Sequence, residues 1–511
     1  MKKNVLFAAL LMCAPLLMLR AQTPDEAVTY YNRGKLFAEN GDYARALECY
    51  DNALRLYPRY AGAYTASAEA HIVTGDYDRA ILECNYALRV NPDYVPAYIT
   101  RSGAMREKGE WQNAISDLTQ SLSLEPENAE ALIQRGYAHY RAGNFESALE
   151  DCARAVELDS GAPRPLCYRA FVYQALGEND SARDDFERTA NIESADPGDL
   201  AYKGAAYGAL QNYGKAFEMF SQALRLNPND IRVFCHRGAV YALKGDYDLA
   251  VSDFTQALHT NPNYADALTK RGEAYEKKNN FSRAAADYAE AIRIMPNEAI
   301  LYLLRGGVLF KNGKFNDAIA DFTQAIALKP GDSAGYANRA LVYSNTGELK
   351  KAAEDYTSAI NAAPDNLSFY SYRSAVYIGM ENYQSAIDDC SHIIELQPDF
   401  PDARRNRAIA FFRLALMADP EDGIGAEFDP ARADVEAALA ANPADADMLI
   451  LSGAILLYGG KYDAAIECAN KALAVQSDNE WYKNSLEQWT LFKHNIDAVS
   501  GAAAGGAENE Q

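Results

Sequence analysis

Residues 231–264 have the sequence IRVFCHRGAVYALKGDYDLAVSDFTQALHTNPNY, and residues 265–298 have the sequence ADALTKRGEAYEKKNNFSRAAADYAEAIRIMPNE. Both stretches have the same length, and both carry glycine at position 8, tyrosine at position 11, alanine at position 20 and proline at position 32. Self-similarity at a fixed period indicates a repeat architecture, in which each unit packs mainly on its neighbours. This pair of stretches therefore decides the fold.

The same period extends outward through almost the whole chain. Prolines recur 34 residues apart, or three times that distance apart, at Pro58, Pro92, Pro126, Pro228, Pro262, Pro296, Pro330, Pro364 and Pro398. Units in this register begin at residues 27, 61, 95, 129, 163, 197, 231, 265, 299, 333, 367 and 401. The register predicts twelve units, and a thirteenth follows an insertion in the twelfth.

Each unit is predicted to contain two amphipathic helices. Positions 4, 8 and 11, and then positions 20, 24 and 27, lie at three- and four-residue spacings, so each set forms one apolar stripe. A glycine-containing turn such as Gly245-Asp246-Tyr247 ends the first helix, and proline at position 32 prevents continuation of the second. Small residues at position 8 allow close approach of the helices, and an aromatic ring at position 24 fills the space beside them.

These phases resemble the tetratricopeptide repeat (TPR) family over roughly residues 27–477. The resemblance implies an all-α protein, a right-handed α-solenoid of tandem TPR helical hairpins whose first helices line a concave inner face. It also implies capture of peptides or protein segments on that face. Chaperone-tail binders of this family use lysine and asparagine at positions 5 and 9 of one unit, where the first unit has Tyr31 and Lys35. The sequence does not support that carboxylate clamp.

Four segments are predicted around this repeat pattern. Residues 1–21 are a signal peptide, because Lys2 and Lys3 precede an apolar stretch over residues 5–19 and a small residue, Ala21. Residues 22–477 form about thirteen units, with an 11-residue insertion at about 412–430. Residues 478–498 form a C-terminal capping helix over the last apolar face. Residues 499–511 have the composition of a disordered tail.

The chain carries a formal net charge of −22 at pH 7. Such an acidic body repels phosphate backbones and anionic lipid surfaces, so nucleic acid is excluded as the main partner and the mature chain is not expected to insert into a membrane. The leader predicts export, with the periplasm as the destination, or a secreted or outer-membrane-associated location. Lipidation at Cys13 stays open, although Met12 precedes it where a small residue is needed.

The chain lacks the local motifs of common enzymes. It has no Walker-type loop, G-x-S-x-G elbow, H-E-x-x-H motif or C-x-x-C pair. His71 and His139 occupy the aromatic position 11, which indicates core positions better than metal ligands. The cysteines recur at repeat phases and are expected to be buried thiols, with Cys152 and Cys167 the only pair on consecutive helices. No catalytic residues, metal site or cofactor is predicted.

Arginine at position 7 and aspartate at position 23 occur together in nine units. Because a partly buried guanidinium requires a carboxylate, the pattern predicts a structural ladder of Arg–Asp pairs within or between hairpins. The alternative is a row of cations along an anion-binding groove. The arginines are Arg33, Arg101, Arg135, Arg169, Arg237, Arg271, Arg305, Arg339, Arg373 and Arg407, and the aspartates are Asp117, Asp151, Asp185, Asp253, Asp287, Asp321, Asp355, Asp389 and Asp434.

Helix phase places positions 2, 5, 6, 9, 12 and 13 on the inner face. Aromatic side chains beside arginines at these positions are typical anchors for a bound peptide. The alternative is that the rings only pack against the next helix. The candidate ligand-binding residues are Tyr137, Tyr140, Arg141, Arg164, Tyr168, Phe171, Tyr202, Lys270, Arg405 and Asn406.

The sequence thus predicts a non-enzymatic protein–protein interaction scaffold or adaptor of the bacterial cell envelope, within a larger envelope complex. Its partners would be proteins or peptides on the concave TPR face. A glycan- or peptidoglycan-binding assembly factor is the alternative, since sugar rings stack on the same tyrosines.

Overall fold

The computed structural model describes residues 25–400, 402–417 and 426–507, and in these residues the chain forms α-helices, one 3₁₀ turn and no strand. The first helices of the repeats and their partners alternate along the chain. They are α1 Asp25–Glu39, α2 Tyr43–Leu56, α3 Ala61–Thr74, α4 Tyr77–Val90, α5 Val95–Glu107, α6 Trp111–Leu124, α7 Ala129–Ala142, α8 Phe145–Leu158, α9 Pro163–Ala175, α10 Asn179–Asn191, α11 Pro197–Ala209, α12 Tyr213–Leu226, α13 Ile231–Lys244, α14 Tyr247–Thr260, α15 Ala265–Lys277, α16 Phe281–Ile294 and α17 Ala299–Lys311.

The remaining helices follow the same alternation until the insertion. They are α18 Phe315–Leu328, α19 Ser333–Asn345, α20 Leu349–Ala362, α21 Leu367–Gly379, α22 Tyr383–Leu396, α23 Ala403–Ala415, the 3₁₀ turn Ala426–Phe428, α24 Asp429–Ala441, α25 Ala446–Tyr458, α26 Tyr462–Val475 and α27 Glu480–Ala507. The predicted all-α solenoid of tandem hairpins is therefore confirmed.

The turn between paired helices follows from local chemistry. Gly75 ends α3 with a backbone φ of +82°, a conformation that residues with a Cβ atom adopt at a cost. Asp76 then caps α4, because its carboxylate accepts a hydrogen bond of 3.2 Å from the backbone N–H of Arg79. The chain thus reverses direction within two residues.

Close packing explains the small residue at position 8. A Cβ atom added to Gly272 would lie 2.7 Å from Cε1 of Tyr288, and one added to Gly204 would lie 2.5 Å from Cε1 of Phe220. The aromatic ring at position 24 therefore occupies the space that a larger residue at position 8 would need. The ring at position 24 packs directly against the small residue at position 8, and this close contact holds the two helices of each hairpin together.

The Arg–Asp ladder is present, and each of its pairs lies within one hairpin. The guanidinium donates two hydrogen bonds of 2.6–2.9 Å to the two carboxylate oxygens of its partner. This geometry favours the structural ladder over the groove of cations. The pairs are Arg101–Asp117, Arg135–Asp151, Arg169–Asp185, Arg237–Asp253, Arg271–Asp287, Arg339–Asp355, Arg373–Asp389 and Arg407–Asp434.

The same arginines also connect neighbouring hairpins. The third donor, Nη1 of Arg271, bonds Oγ1 of Thr255 in the preceding hairpin at 3.1 Å. Equivalent bonds join Arg339 to Thr323 at 2.9 Å and Arg373 to Thr357 at 2.8 Å. One guanidinium therefore fixes both the pairing of its own two helices and their register on the previous pair.

The chain divides into two compact units, residues 1–312 and residues 313–511. In the N-terminal unit, repeats distant in sequence touch each other, as described below. In the C-terminal unit, the insertion follows α23, and the chain resumes with Phe428, whose buried ring lies 5.5 Å from Phe412 and 5.3 Å from Tyr458. Residues 418–425 of the insertion lie outside the described residues, as do residues 1–21 of the predicted signal peptide.

The last helix, α27, lies on the thirteenth repeat. The ring of Trp489 lies against Gly453, where an added Cβ atom would be 2.5 Å from Cζ3, and buried Tyr482 donates a 2.6 Å hydrogen bond to Asp447. The helix continues to Ala507, past the predicted end at residue 498. Alanine favours helix, and residues 502–504 in the predicted tail are all alanine. Residues 508–511 of the predicted tail lie outside the described residues.

Candidate functional site

In the N-terminal unit, the second to fourth repeats contact the seventh and eighth. Buried Tyr77 donates a 3.0 Å hydrogen bond to the carbonyl oxygen of Asn263 and accepts one of 3.0 Å from Nδ2 of Asn261. Nδ2 of Asn263 in turn donates to the carbonyl oxygen of Gly75 at 3.1 Å. These partners are 184–188 residues apart in the chain.

Two further contacts extend this interface. Nε1 of Trp111 donates a hydrogen bond to the carboxylate of Glu298, and the same indole packs in an apolar cluster that contains Met295. Arg141 forms an ion pair of 3.0 Å with Asp266, and its guanidinium lies 4.5 Å from the ring of Trp111. We call this set of contacts the clasp.

The clasp bounds a cavity of about 1360 Å³ within the N-terminal unit. Its wall comes mainly from the first helices of the repeats, at the phases expected for the inner face. Tyr168, Tyr202 and His236 occupy position 6 of the fifth, sixth and seventh repeats. Because one phase of each first helix faces inward, successive repeats place equivalent side chains side by side.

Aromatic rings form a continuous row along this wall. The ring centroids of Tyr137 and Tyr168 are 5.3 Å apart, those of Tyr168 and Tyr202 are 5.6 Å apart, and those of Tyr202 and His236 are 5.4 Å apart. The hydroxyl groups of Tyr168 and Tyr202 share a hydrogen bond of 3.1 Å. Tilted and edge-on ring pairs of this kind are attractive, so they stabilise the row. All four side chains also line the cavity.

Four arginines also line the cavity: Arg106, Arg141, Arg164 and Arg232. Arg232 forms two hydrogen bonds to Asp230, of 3.1 and 2.8 Å. The lining thus carries guanidinium groups in a chain that is strongly acidic overall. None of the ladder arginines is among the described residues of this lining.

Burial changes the titration of the groups around the cavity. It raises the pKa of Glu107 to about 7, against the opposing effect of the adjacent Arg106 guanidinium. It lowers the pKa of His236 to about 4, and the charge of Arg232 acts in the same direction. At neutral pH His236 is therefore an uncharged ring of the aromatic row.

The structure brings eight of the ten predicted ligand-binding residues together in this lining. They are Tyr137, Tyr140, Arg141, Arg164, Tyr168, Phe171, Tyr202 and Lys270. The rings pack against neighbouring helices and line the cavity at the same time, so their packing does not decide between the two alternatives posed by the sequence. Their role in binding stays a prediction.

The other two predicted residues lie in the C-terminal unit. Arg405 bonds the carboxylate of Asp447 and lies 3.4 Å from that of Asp445, and Asn406 donates a 3.1 Å hydrogen bond to Oγ of Ser374. Both side chains thus connect α23 to helices on either side of it. In the structure they serve packing between repeats.

Among the lining residues that were not predicted as ligand-binding from the sequence are two pairs of titratable groups, Arg106 with Glu107 and Arg232 with His236. They occupy positions 12 and 13 of the third repeat and positions 2 and 6 of the seventh. These are inner-face phases, so the phase rule applied to every repeat finds them. What the rule does not supply is that the third and seventh repeats share one cavity.

Within the described residues, no group of three or more histidine, cysteine, aspartate or glutamate side chains is arranged to hold a metal ion. The seven cysteines of the described chain are free thiols. None of the described helices combines the length and the apolar character needed to cross a membrane.

Comparisons with known proteins agree with the repeat pattern. A family model for the tetratricopeptide repeat matches residues 19–95, 105–163, 237–299, 303–366 and 426–480, and a second tetratricopeptide repeat model matches residues 203–230. A search of curated proteins gave no match.

Among solved structures, the chain is similar to a crystal structure of the APC/C hetero-tetramer Cut9-Hcn1, with 15% identity over 94% of this chain and 98% of that chain and a TM-score of 0.40. It is also similar to yeast Tom70, with 17% identity over 96% of this chain and 100% of that chain and a TM-score of 0.36.

Proposed function

This chain belongs to the tetratricopeptide repeat family, and we propose that it is a non-enzymatic scaffold or adaptor that binds segments of partner proteins in the cavity of its N-terminal unit. The observation that carries the proposal is the row of aromatic rings with interspersed guanidinium groups along one cavity wall. Tyrosine and arginine are the residue types that most often dominate binding energy at protein interfaces. An extended segment lying along the row would contact several rings and several polar groups at once.

The chemistry of the lining supports binding over catalysis. Cys235 and His236 are neighbours in the cavity wall, where a thiol and an imidazole suggest a nucleophile and a base. Burial raises the pKa of the Cys235 thiol well above its usual range and lowers that of His236 to about 4. Both shifts favour the neutral groups and oppose the thiolate–imidazolium pair that nucleophilic catalysis requires.

We further propose that the protein acts after export, in the periplasm, as part of a larger envelope assembly. Residues 1–21 support export through their basic start, apolar stretch and small residue at position 21. N-terminal sequencing of the protein from fractionated cells tests this, and we expect a mature chain that begins at Gln22 in the periplasmic fraction. A chain that retains Met1 in the cytoplasmic fraction would contradict it.

Affinity capture from envelope extract tests the binding proposal. The double variant Tyr137→Ala/Phe171→Ala removes two rings of the lining and should lose the proteins that the unaltered chain retains. The matched control is Tyr86→Ala/Leu243→Ala, which removes two apolar side chains that are 37% and 67% exposed in the same unit. Capture of the same proteins by all three chains would show that the cavity is not the docking site. Retention of cell-wall fragments, with no protein, would favour the glycan alternative.

A further inference from the structure

Two of the cavity arginines carry hydrogen-bond donors without an acceptor. The Nε atoms of Arg106 and Arg164 are buried, and neither has a hydrogen-bond partner among the described residues. Arg164 is engaged at one end only, where Nη1 bonds Glu130 at 2.8 Å. Arg106 lies 3.8 Å from the carboxylate of Glu107, which is the distance of a loose ion pair. A buried guanidinium donor left unpaired is unfavourable, because the charged group has lost its hydrogen bond to water without gaining another.

The other two arginines of the cavity wall have more hydrogen-bond partners. Arg141 bonds both Tyr137 and Asp266, and Arg232 uses two nitrogens on Asp230. The ladder arginines likewise use two nitrogens on one carboxylate. Among the described residues of the cavity wall, the buried guanidinium nitrogens without a partner are therefore those of Arg106 and Arg164.

The aromatic row holds both of these groups at one place. The guanidinium of Arg106 lies 5.2 Å from the ring centroid of Tyr137, and that of Arg164 lies 5.7 Å from the ring centroid of Tyr168. The centroids of the two rings are 5.3 Å apart. The two arginines therefore border adjacent rings, and a chain lying on those rings passes both arginines.

We propose that Arg106 and Arg164 receive the side-chain carboxylates of an acidic, extended segment of the partner protein, whose apolar side chains lie on Tyr137 and Tyr168. This inference rests on the proposed function, since it names the chemistry of the segment held in the same cavity. A guanidinium edge bonds a carboxylate strongly, through charge as well as geometry. A phosphate dianion would be repelled more than a carboxylate, because Glu107, Asp230 and Asp266 also line the cavity.

Fluorescence anisotropy with synthetic peptides tests this chemistry. The probe is a short peptide in which glutamate alternates with leucine, with fluorescein at its N-terminus and an amide at its C-terminus. The matched peptide has glutamine in place of each glutamate. We expect the unaltered chain to bind the glutamate peptide at least about tenfold more tightly, as the loss of a charge-assisted hydrogen bond implies.

Variants connect the preference to the two arginines. Arg164→Gln and Arg106→Gln should each weaken binding of the glutamate peptide by about tenfold and weaken binding of the glutamine peptide much less. Arg164→Lys keeps the charge without the planar fork and should give an intermediate affinity. The control is Arg154→Gln, which alters an exposed arginine of α8 outside the cavity. Thermal unfolding curves verify that each variant is folded.

Three results would overturn the inference. The first is equal affinity of the unaltered chain for the two peptides, or binding of neither. The second is an equal loss for both peptides in Arg164→Gln. The third is a glutamine peptide with a free C-terminal carboxylate that binds as tightly as the glutamate peptide, since the carboxylate would then come from a chain end. Capture of envelope proteins that depends on Tyr137 and Phe171 would leave the proposed function standing in each case.

Discussion

Arg135 and Arg141 lie in the same helix, α7, and yet belong to two different regions of the molecule. Arg135 belongs to the ladder and bonds Asp151, 16 residues away in the same hairpin. Arg141 belongs to the clasp and bonds Asp266, 125 residues away on another repeat. The first partner recurs in repeat after repeat, whereas the second is specific to one place.

The comparison distinguishes contacts within one repeat, which form the hairpins, from contacts between distant repeats, which bring the hairpins together. A ladder pair stabilises the repeat itself, and the repeat exists wherever its residues are present. A clasp contact arises because the hairpins of the N-terminal unit are stacked so that its repeats return to one another. The cavity and its aromatic row depend on the clasp, and the helices that form their walls depend on the ladder.

The largest effect is expected from breaking the ladder. Asp287→Ala leaves the guanidinium of Arg271, whose side chain is only 20% exposed, without its carboxylate. We expect a loss of about 3–5 kcal/mol in the free energy of unfolding, measured with urea. The control Asp248→Ala removes the 86% exposed partner of Lys278 and should cost less than about 1 kcal/mol.

A charge swap sharpens the same test. The double variant Arg271→Asp/Asp287→Arg should be more stable than either single change, because it restores opposite charges at the two positions. A double variant no more stable than the single ones would contradict the pairing.

The next largest effect is expected at the clasp. Tyr77→Phe removes a buried hydroxyl and leaves the amide of Asn261 and the carbonyl of Asn263 each without that partner. The expected cost is about 2 kcal/mol in unfolding of the N-terminal unit. Tyr247 has the same position in the seventh repeat, so Tyr247→Phe is the matched control and should change stability by less than about 0.5 kcal/mol. Equal effects of the two changes would mean that the clasp contact is not formed in solution.

A disulfide across the clasp should form and stabilise the unit. A Cβ atom at Gly75 would lie 3.1 Å from Cβ of Asn263, somewhat shorter than the separation of about 3.5–4.5 Å found in disulfides, and 2.5 Å from Oδ1 of Asn261, so the two turns must move slightly apart to accept the bond. Oxidised Gly75→Cys/Asn263→Cys should migrate differently on a non-reducing gel and be about 1–2 kcal/mol more stable than the same variant in its reduced form. The reduced form should be less stable than the unaltered chain, since it loses the hydrogen bond from Asn263 and places cysteine at a backbone φ of +82°. Gly143→Cys/Asn263→Cys places the first thiol at the same turn two repeats later, in open space, and should stay reduced.

The last test concerns pH. The pKa of Glu107 is raised from 4.5 to about 7 in the folded chain, so the folded state holds this proton more tightly than the unfolded state does. Glu107 therefore lowers stability progressively as pH rises from about 4.5 to about 7, by at most about 1.4 kcal/mol per pH unit, and adds nothing further above that range.

The variant Glu107→Gln isolates this contribution. Subtracting its unfolding free energies from those of the unaltered chain at each pH removes the similar contribution of Glu83, whose pKa burial also raises to about 7. A difference that does not change with pH would contradict the raised pKa of Glu107.

The sequence predicted most of the local structure and part of the site. Helix phase placed Tyr168, Tyr202 and Lys270 on the inner face, and all three line the cavity. The same rule grouped Arg405 and Asn406 with them, although these side chains bond α25 and α21 in the C-terminal unit. The position of a residue within its repeat predicts the direction in which its side chain leaves the helix. It does not predict which distant repeat that side chain contacts.

The sequence by itself determined the hairpins, because positions 8, 20 and 24 meet inside one unit. It also determined the ladder, because the partners are 16 residues apart, or 27 where the insertion separates Arg407 from Asp434. Only the tertiary structure decided that Tyr77 meets Asn261 and that Trp111 meets Glu298, 184 and 187 residues away. The physical reason is that small rotations between successive hairpins add up along the chain. Each hairpin is rotated slightly on the one before it, and whether repeats meet after several such steps depends on the sum of small angles that no single residue pattern records.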